Sequence, residues 1–251
     1  MCLIGGHRVM KAVRASNLID SNDVDPEHDH LLNMYTGRLS RYYHRRLDMA
    51  LQAAPDLTDK TVLQLGSGNA VFSLTLLRDA KGVYAVEISR SKIDDGLDIL
   101  DRTGASTDHL SIIHADGTRM PMQDDAVDVA FALDTLEHIP NERRAVEELR
   151  RVLSNEGRLI ISAPLELGFP IIYRDIYRLM TGRRQNSKSI SEYISAAAKR
   201  PPVDNPTEHR GYDYRQTIEF CRNEFSNVSV EYCPFDPLKW INPTSIISAD
   251  C

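Results

Sequence analysis

The sequence predicts an α/β protein built on a doubly wound, Rossmann-like sheet. Short apolar segments rich in β-branched residues alternate with amphipathic segments at helical spacing, which is typical of a parallel sheet covered on both faces. The first apolar segment runs into the glycine turn Gly66-Ser67-Gly68, and a helical pattern follows it directly. Acidic residues then end the next three predicted strands, at Glu87, Asp116 and Asp134. This recurrence turns a weak glycine motif into an informative one.

The first 54 residues precede the alternating pattern and form the first predicted unit. We expect an irregular polar segment to about residue 30, followed by a helix over residues 31–53 in which apolar and tyrosine side chains recur at helical spacing. His28 and His30 lie in the irregular part. A solvated loop is the preferred interpretation there, because no full set of metal ligands is spaced around them.

Residues 55–251 form the second predicted unit, which carries the alternating strands and helices. The predicted strands are residues 62–65, 83–88, 110–114, 127–133, 158–163, 228–232 and 240–248. The predicted helices are residues 71–80, 91–102, 141–153 and 214–225. In the third of these helices, Leu149 belongs to an apolar stripe, whereas Glu148 and Arg151 are predicted to face water. A polar, basic and proline-containing stretch, residues 164–210, interrupts the pattern and predicts an inserted lid.

Composition excludes several classes of protein. The net charge of -6 argues against a general nucleic-acid binder, which is usually basic. No apolar run approaches the roughly 20 residues of a membrane span, so we expect neither a transmembrane segment nor secretion. The four cysteines are scattered without a CxxC pair, which is typical of reduced thiols. We therefore predict a cytoplasmic protein of ordinary globular composition.

The ends of the predicted strands indicate a nucleoside ligand, because doubly wound sheets bind ligands at the carboxyl ends of their strands. Glu87 lies about 20 residues beyond the glycine turn, where a carboxylate can accept hydrogen bonds from both ribose hydroxyls. Asp116 can accept from an adenine amino group while the N–H of Gly117 donates to a ring nitrogen. A dinucleotide site would need a third glycine where Val71 stands, so a smaller, uncharged nucleoside fits better.

Taken in order, these motifs resemble the class I S-adenosylmethionine-dependent methyltransferases, in the type 11-like group whose fourth strand ends in Leu-Glu-His. The resemblance covers about residues 60–164. It implies a seven-stranded sheet, mostly parallel with a reversed last strand, and S-adenosylmethionine as cofactor. The residues that it assigns to the cofactor site are Gln64, Gly66, Ser67, Gly68, Glu87, Ile88, Asp116, Gly117 and Leu133.

Two positions depart from the pattern of the family. Gln64 stands where the family usually has an acidic residue near the methionine ammonium, so it can accept a hydrogen bond but lacks the charge. Ala70 replaces the third glycine of the family loop and is small enough to keep the helix close. Both departures bear on the affinity for the cofactor more than on its identity.

The loop after the fourth strand holds the candidate catalytic residues, His138 and Asp134. An imidazole titrates near working pH, so His138 is the predicted base, with a structural histidine hydrogen-bonded inside the loop as the alternative. Asp134 contacts either the methionine end of the cofactor or the acceptor in this interpretation. Together with Glu137 these residues resemble a divalent-metal pattern of some quinone O-methyltransferases, but three ligands on one short loop make an incomplete site, so we predict no metal.

The predicted reaction is O-methylation of a small-molecule or glycan/lipid-linked acceptor. The chain lacks the Asn/Asp-Pro-Pro-aromatic motif of amino-directed relatives, which disfavours a DNA-adenine substrate. We expect the N-terminal helix, including Tyr35, Tyr42 and Tyr43, and the lid to hold the acceptor. Within the lid, Arg174 and Arg178 could grip an anionic group, and the amphipathic stretch around them could contact a membrane surface. The alternatives are a nicotinamide-dependent oxidoreductase and a non-catalytic nucleoside-cofactor-binding protein.

Overall fold

The fold was analysed in a computed structural model, which describes residues 3–4, 7–8, 10–14, 40–165, 212–236 and 242–251. The strands are β1 (Leu3–Ile4), β2 (His7–Arg8), β3 (Thr61–Leu65), β4 (Gly82–Glu87), β5 (Leu110–His114), β6 (Val127–Leu133), β7 (Leu153–Pro164), β8 (Ser226–Cys233) and β9 (Thr244–Asp250). The helices are α1 (Ser40–Ala53), α2 (Val71–Leu77), α3 (Arg90–Thr103), α4 (Glu142–Val152) and α5 (Tyr214–Glu224). A short 3-10 helix, Leu136–His138, follows β6.

Seven strands form one sheet in the order β5-β4-β3-β6-β7-β9-β8. Strand β9 is antiparallel to both of its neighbours, β7 and β8, and the other four pairs are parallel. The predicted mostly parallel sheet with a reversed last strand is therefore confirmed. β1 and β2 pair antiparallel where an irregular segment was predicted. Two-residue strands are too short for an alternating pattern to show in the sequence.

Side chains alternate between two hydrophobic cores, one on each face of the sheet. On the first face, Val62 and Ile160 pack with residues of α1, α2 and α3, and Phe131 meets Phe72 edge to face at 5.5 Å. On the second face, residues of the same strands, such as Leu63, pack with α4 and α5. This double cover explains why the central strands are apolar at nearly every position.

Helix α1 runs antiparallel to β7 across the first face. At its last turn, Ala53 O accepts from Arg158 Nη1 at 3.3 Å, beside the amino end of the parallel strands. Near its first turn, Tyr42 OH bonds Thr244 Oγ1 at the opposite end of the sheet. The N-terminal half of α1 therefore lies at the carboxyl edge, where the site forms. The helix begins at Ser40, and residues 31–39 of the predicted helix lie outside the described residues.

Several element ends differ from the prediction. β7 begins at Leu153 because this residue pairs with Val127 ahead of a bulge, whereas the sequence placed residue 153 in the helix. β9 begins at Thr244, directly after Pro243, which has no N–H for a strand ladder. α2 ends at Leu77, three residues earlier than predicted. The lid interpretation stays a prediction, since residues 166–211 lie outside the described residues.

The prediction that Glu148 faces water was wrong. Its side chain is 2% exposed, and it accepts from Met120 N at 2.7 Å and from Arg151 Nη2 at 2.7 Å. Arg151 also donates to Met122 O at 2.8 Å. A glutamate can be buried on a helix when such donors compensate its charge. These contacts fasten the loop after β5 to α4.

Candidate active site

The glycine turn after β3 is shaped by a close approach of the chain that follows β6. Gly66 has a φ of +71°, and a Cβ at this position would lie 2.3 Å from Thr135 Oγ1. Thr135 Oγ1 in turn donates to Leu65 O at 3.1 Å and to Leu133 O at 3.0 Å. Only glycine fits both the left-handed backbone and the contact. The turn therefore joins the carboxyl ends of two neighbouring strands.

Ala70 takes the conformation that glycine adopts without steric cost. Its φ is +60°, and it precedes α2 as the N-cap residue. A left-handed backbone at an L-residue costs roughly 1–2 kcal/mol. Gly96 of α3 packs here, because a Cβ on it would lie 3.2 Å from Ala70 Cβ. The side chain of Ala70 thus stays compatible with a close helix, as the sequence predicts.

Glu87 anchors the glycine turn to the end of β4. Its side chain is buried, and Oε2 accepts from Gly68 N at 2.9 Å. Its Oε1 accepts from Ile88 N and Ser89 N, both at 2.9 Å. An ionised carboxylate has about four lone-pair sites, so these three bonds leave acceptor capacity for a further donor. The carboxylate is held rigidly at the carboxyl edge.

Three further predicted residues, Ile88, Asp116 and Gly117, lie beside Glu87 along this edge. Ile88 is 64% exposed, which is unusual for a large apolar side chain. Asp116, after β5, is exposed, and its Oδ1 accepts from Thr118 N and Thr118 Oγ1, both at 2.8 Å. These hydrogen bonds lower the pKa of Asp116, so the carboxylate is ionised at neutral pH. The buried Gly117 follows, where a Cβ would lie 2.8 Å from Leu65 Cδ1.

Gln64 is engaged inside the protein. It is 4% exposed, and its Oε1 accepts from Ser73 Oγ at 2.7 Å. This bond links β3 to α2 directly behind the glycine turn. Ser67, in the turn itself, is buried, and its N–H donates to Val86 O at 3.1 Å. Both residues therefore shape the turn through contacts within the protein.

The groups at this edge fit S-adenosylmethionine. Glu87 offers a buried acceptor of the kind that ribose hydroxyls require, and Ile88 offers an exposed apolar surface of the kind that covers an adenine ring. Asp116 supplies an exposed carboxylate one strand further out, where an amino group can donate to it. Gly66 and Gly68 keep the intervening backbone free of side chains. The four strand ends are adjacent in the sheet, in the order β5-β4-β3-β6.

Asp134 lies at the end of β6 in a left-handed conformation, with a φ of +49°. Its N–H donates to Ser162 Oγ at 2.9 Å, and Ser162 Oγ donates to Asp134 Oδ1 at 2.7 Å. Its Oδ2 accepts from Arg46 Nη1 of α1. Asp134 is therefore fixed from two sides, by β7 and by α1.

Arg46 is a site residue that sequence reasoning missed. It is 6% exposed, and its guanidinium lies over the ring of Tyr43, 4.8 Å from the centroid. Tyr43 meets Tyr42 edge to face at 5.3 Å. Burial raises the pKa of Tyr42, whose hydroxyl bonds Thr244. The available signal was helical spacing, because residues 43, 46 and 50 share one face of α1 and Ala50 is buried.

The three side chains of the Leu-Glu-His turn lie in different surroundings. Leu136 is buried in the core of the second face. Both carboxylate oxygens of Glu137 are buried, and burial followed by the charge of Asp134 raises the pKa of this carboxyl well above its usual range. His138 is exposed, so the predicted base is accessible from outside the turn. Across the described parts of the chain, no three His, Cys, Asp or Glu side chains converge as a metal site.

A second polar cluster lies next to this turn, between α4 and α5, and the sequence did not predict it. Thr217 is fully buried and donates to Glu142 Oε1. Tyr212 OH lies 2.6 Å from Thr217 Oγ1. Burial raises the pKa of Glu142 to about 7. From the sequence alone, Glu142 is predicted only to be a favourable acidic residue in the first turn of a helix.

Comparisons with known proteins agree with this geometry. Residues 63–161 match the sequence profile of the family described as a methyltransferase domain. The demethylmenaquinone methyltransferase of Clavibacter sepedonicus is 27% identical over 128 residues, which are 50% of this chain and 51% of that protein. The sterol 4-C-methyltransferase strm-1 of Caenorhabditis elegans is 30% identical over 99 residues, 39% of this chain and 29% of that protein. The chain thus spans about half or less of these relatives.

A comparison of folds points the same way. The solved structure of a SAM-dependent methyltransferase from Aquifex aeolicus superimposes with a TM-score of 0.54 at 14% sequence identity, and the match covers 80% of this chain and 87% of that one. At such low identity the likeness concerns the fold alone. Residues 63–161 therefore form a methyltransferase domain, and the sheet that contains them has the fold of S-adenosylmethionine-dependent methyltransferases.

Proposed function

We propose that this protein transfers the methyl group of S-adenosylmethionine to a hydroxyl oxygen of a small-molecule or glycan/lipid-linked acceptor. The observation that carries the proposal is the buried Glu87 carboxylate, which bonds Gly68 N in the glycine turn and keeps capacity for a ribose hydroxyl. When bound, the cofactor supplies an activated sulfonium methyl group. The remaining tasks of the protein are alignment and deprotonation of the acceptor.

The cofactor side of the proposal assigns a task to each strand end. Glu87 receives the ribose hydroxyls, Ile88 covers one face of the adenine ring, and Asp116 accepts from the adenine amino group. The N–H of Gly117 donates to a ring nitrogen in this arrangement. Leu133 lies at the end of β6 and closes the pocket beside the glycine turn. Gln64 acts indirectly, since it accepts from Ser73 and supports the turn from behind.

The acceptor side is assigned to the loop after β6 and to the N-terminal half of α1. His138 is exposed and is our candidate general base for a hydroxyl acceptor. Asp134 orients the reacting groups, because Arg46 and Ser162 hold its carboxylate in one place. Relatives of the chain are named as acting on demethylmenaquinone and on sterols, which supports an apolar small molecule as acceptor.

No described helix has both the length and the apolar character that a bilayer span requires. We propose a cytoplasmic location, in which an acceptor attached to a lipid carrier would be reached at the membrane surface. In the predicted lid, Arg174 and Arg178 would grip an anionic group of this acceptor, and the amphipathic stretch around them would contact the membrane surface. They lie outside the described residues, so the assignment depends on their sequence alone.

The experiment incubates the purified protein with methyl-labelled S-adenosylmethionine and separate pools of phenols, sterols, quinols, glycans and lipid-linked sugars. Label should enter one pool with equal release of S-adenosylhomocysteine. Asp134→Asn and His138→Ala should each lower this transfer without loss of the folded state. Cofactor binding without transfer to any pool would favour the non-catalytic alternative, and binding of NAD in its place would favour the oxidoreductase.

A further inference from the structure

We infer that this protein forms a symmetric homodimer through strand β5 and helix α3, with the β5 strands of two copies paired antiparallel. The surface lies at one end of the seven-stranded sheet, where β5 is the terminal strand in the part of the chain that the structure describes. The partner is a second copy of this chain, so the inference does not depend on the methyl acceptor or on the reaction proposed above.

The backbone of β5 directs one row of hydrogen-bonding groups away from the sheet. His109 O accepts from Val83 N at 2.9 Å. Ala115 N donates to Glu87 O at 3.1 Å, so the odd-numbered residues of this segment face β4. Because the direction alternates along a strand, the N–H and C=O of Ile112 point outward. A second β5 that runs antiparallel, with its own Ile112 opposite, exchanges both hydrogen bonds with this residue.

Strand β5 carries none of the features that usually keep the edge of a sheet from pairing with another chain. Natural edge strands are protected by charged side chains such as lysine, by proline or by a bulge. The five residues Leu110–His114 include no Lys, Arg, Asp, Glu or Pro, and their register with β4 is continuous. The outer row of backbone groups is therefore competent to pair with a further strand.

An open groove with an apolar lining lies beside this edge, between β5 and α3. It has a volume of about 510 Å³, and its apolar lining includes Leu97 and Leu100 of the helix and Leu110 and Ile112 of the strand. Leu97 is 48% exposed at the groove. In the antiparallel pair, the Ile112 side chains of the two copies are cross-strand neighbours on the face that α3 covers. The apolar side chains of the partner therefore fill the groove and cover Leu97.

The outer stripe of α3 is complementary in charge to itself, which identifies the partner as a second copy. Arg90, Leu97 and Asp101 share one side of the helix, because spacings of seven and four residues return to the same face, and both charged residues are exposed. The two-fold axis that pairs β5 antiparallel also sets the two α3 helices antiparallel, so Arg90 of each copy lies toward Asp101 of the other.

Contacts within one copy leave this charge pairing open. Arg90 Nε lies 3.4 Å from Asp94 Oδ1, and both side chains are more than half exposed. Such a surface pair contributes little, and a guanidinium has five N–H donors, so Arg90 keeps donors for the partner. A basic end, an apolar centre and an acidic end fit the same surface after a half-turn, whereas an unrelated strand would match only the backbone of β5.

The test measures the mass of the full chain in solution by light scattering and the dissociation constant of the dimer by analytical ultracentrifugation. The wild type should have twice the mass of one chain at micromolar concentration. Leu97→Asp should raise the dissociation constant at least about tenfold, because it places a charge in the apolar groove. Phe235→Asp is the matched control and should leave the constant unchanged, since Phe235 is 58% exposed but follows β8, at the other end of the sheet.

An exchange of charges tests the antiparallel arrangement without the apolar substitution. Arg90→Asp and Asp101→Arg should each weaken the dimer about tenfold, because like charges then meet across the two-fold axis. The variant that carries both changes should associate like the wild type, since the exchanged charges attract again. Circular dichroism confirms that each variant is folded before its association is measured.

A monomeric wild type at micromolar concentration would overturn the inference. A dimer that Leu97→Asp leaves unchanged, or that Phe235→Asp weakens equally, would overturn it as well, because the contact would then lie elsewhere. Failure of the double charge variant to recover association would contradict the antiparallel pairing and with it the proposed surface. The proposed function has its own readout, since binding of S-adenosylmethionine is measured separately by calorimetry.

Discussion

Arg46 Nη1 donates to Asp134 Oδ2, which joins the N-terminal helix to the end of the fourth sheet strand in chain order. Asp134 lies within residues 63–161, which match the methyltransferase family profile, whereas Arg46 lies upstream of that range. The helix α1 therefore places a charged side chain of its own against the domain that the profile matches.

Replacement of Arg46 should destabilise the protein. Arg46→Met leaves Asp134 without its cation, and removal of one partner of a buried pair usually costs 3–5 kcal/mol. Because the Asp134 side chain is 31% exposed, water compensates part of the loss, and we expect about 2 kcal/mol in urea unfolding. Arg45→Met, at the exposed neighbour on the same helix, is the matched control and should change little. Similar losses of unfolding free energy in the two variants would contradict the role given to the bond between Arg46 and Asp134.

Gly66 and Gly104 form a natural pair for a test of the glycine turn. Both have a positive φ, but only Gly66 lacks space for a Cβ, since nothing lies within 4 Å of a Cβ at Gly104. Gly104→Ala should cost about 1 kcal/mol from backbone strain alone, and Gly66→Ala at least about 3 kcal/mol from strain plus the clash with Thr135. Only Gly66→Ala should also abolish binding of S-adenosylhomocysteine. If the two variants lose equal stability, the contact with Thr135 is not tight in solution.

Glu142 makes the stability of the fold depend on pH. The unfolded chain releases this proton near the usual pKa of 4.5, and the folded chain releases it at a pKa of about 7. The folded state therefore binds more protons between these values, so stability falls as pH rises through this window and is constant above it. Glu142→Gln mimics the protonated group and should remove this part of the dependence in urea titrations at several pH values. Glu219→Gln, at an exposed position of α5, should leave it intact, and a wild-type curve unchanged in Glu142→Gln would contradict the account.

The sequence predicted the sheet well because strand and helix periods are local signals. The ends of β5 and β6 match the predicted residues 110–114 and 127–133, since each is an apolar run bounded by polar residues. The start of β7 was missed because Leu153 suits both a helix stripe and a strand, and only its pairing with Val127 decides. Periodicity identifies the type of element more securely than its ends.

The residues of the candidate site also differ in whether a local pattern in the sequence predicts them. Glu87, Asp116 and Asp134 could be located because strand ends meet at one edge of a parallel sheet. The partner of Asp134 was missed, because helical spacing places Arg46 rather than Arg45 on the buried face of α1 but only the packing of α1 shows that this face meets Asp134. The bond between Thr217 and Glu142 joins residues 75 positions apart, and such pairs leave no local pattern.

Binding of the cofactor is the central claim, and calorimetry with S-adenosylmethionine and S-adenosylhomocysteine tests it most directly. Wild-type protein should bind both with roughly micromolar affinity, and Glu87→Gln should bind at least about tenfold more weakly, because the amide loses charge-assisted acceptance from the ribose and from Gly68 N. Glu156→Gln, at an exposed position, should bind like the wild type. Absence of binding to the wild type, or equal affinity in Glu87→Gln, would contradict the assignment of this site to the cofactor.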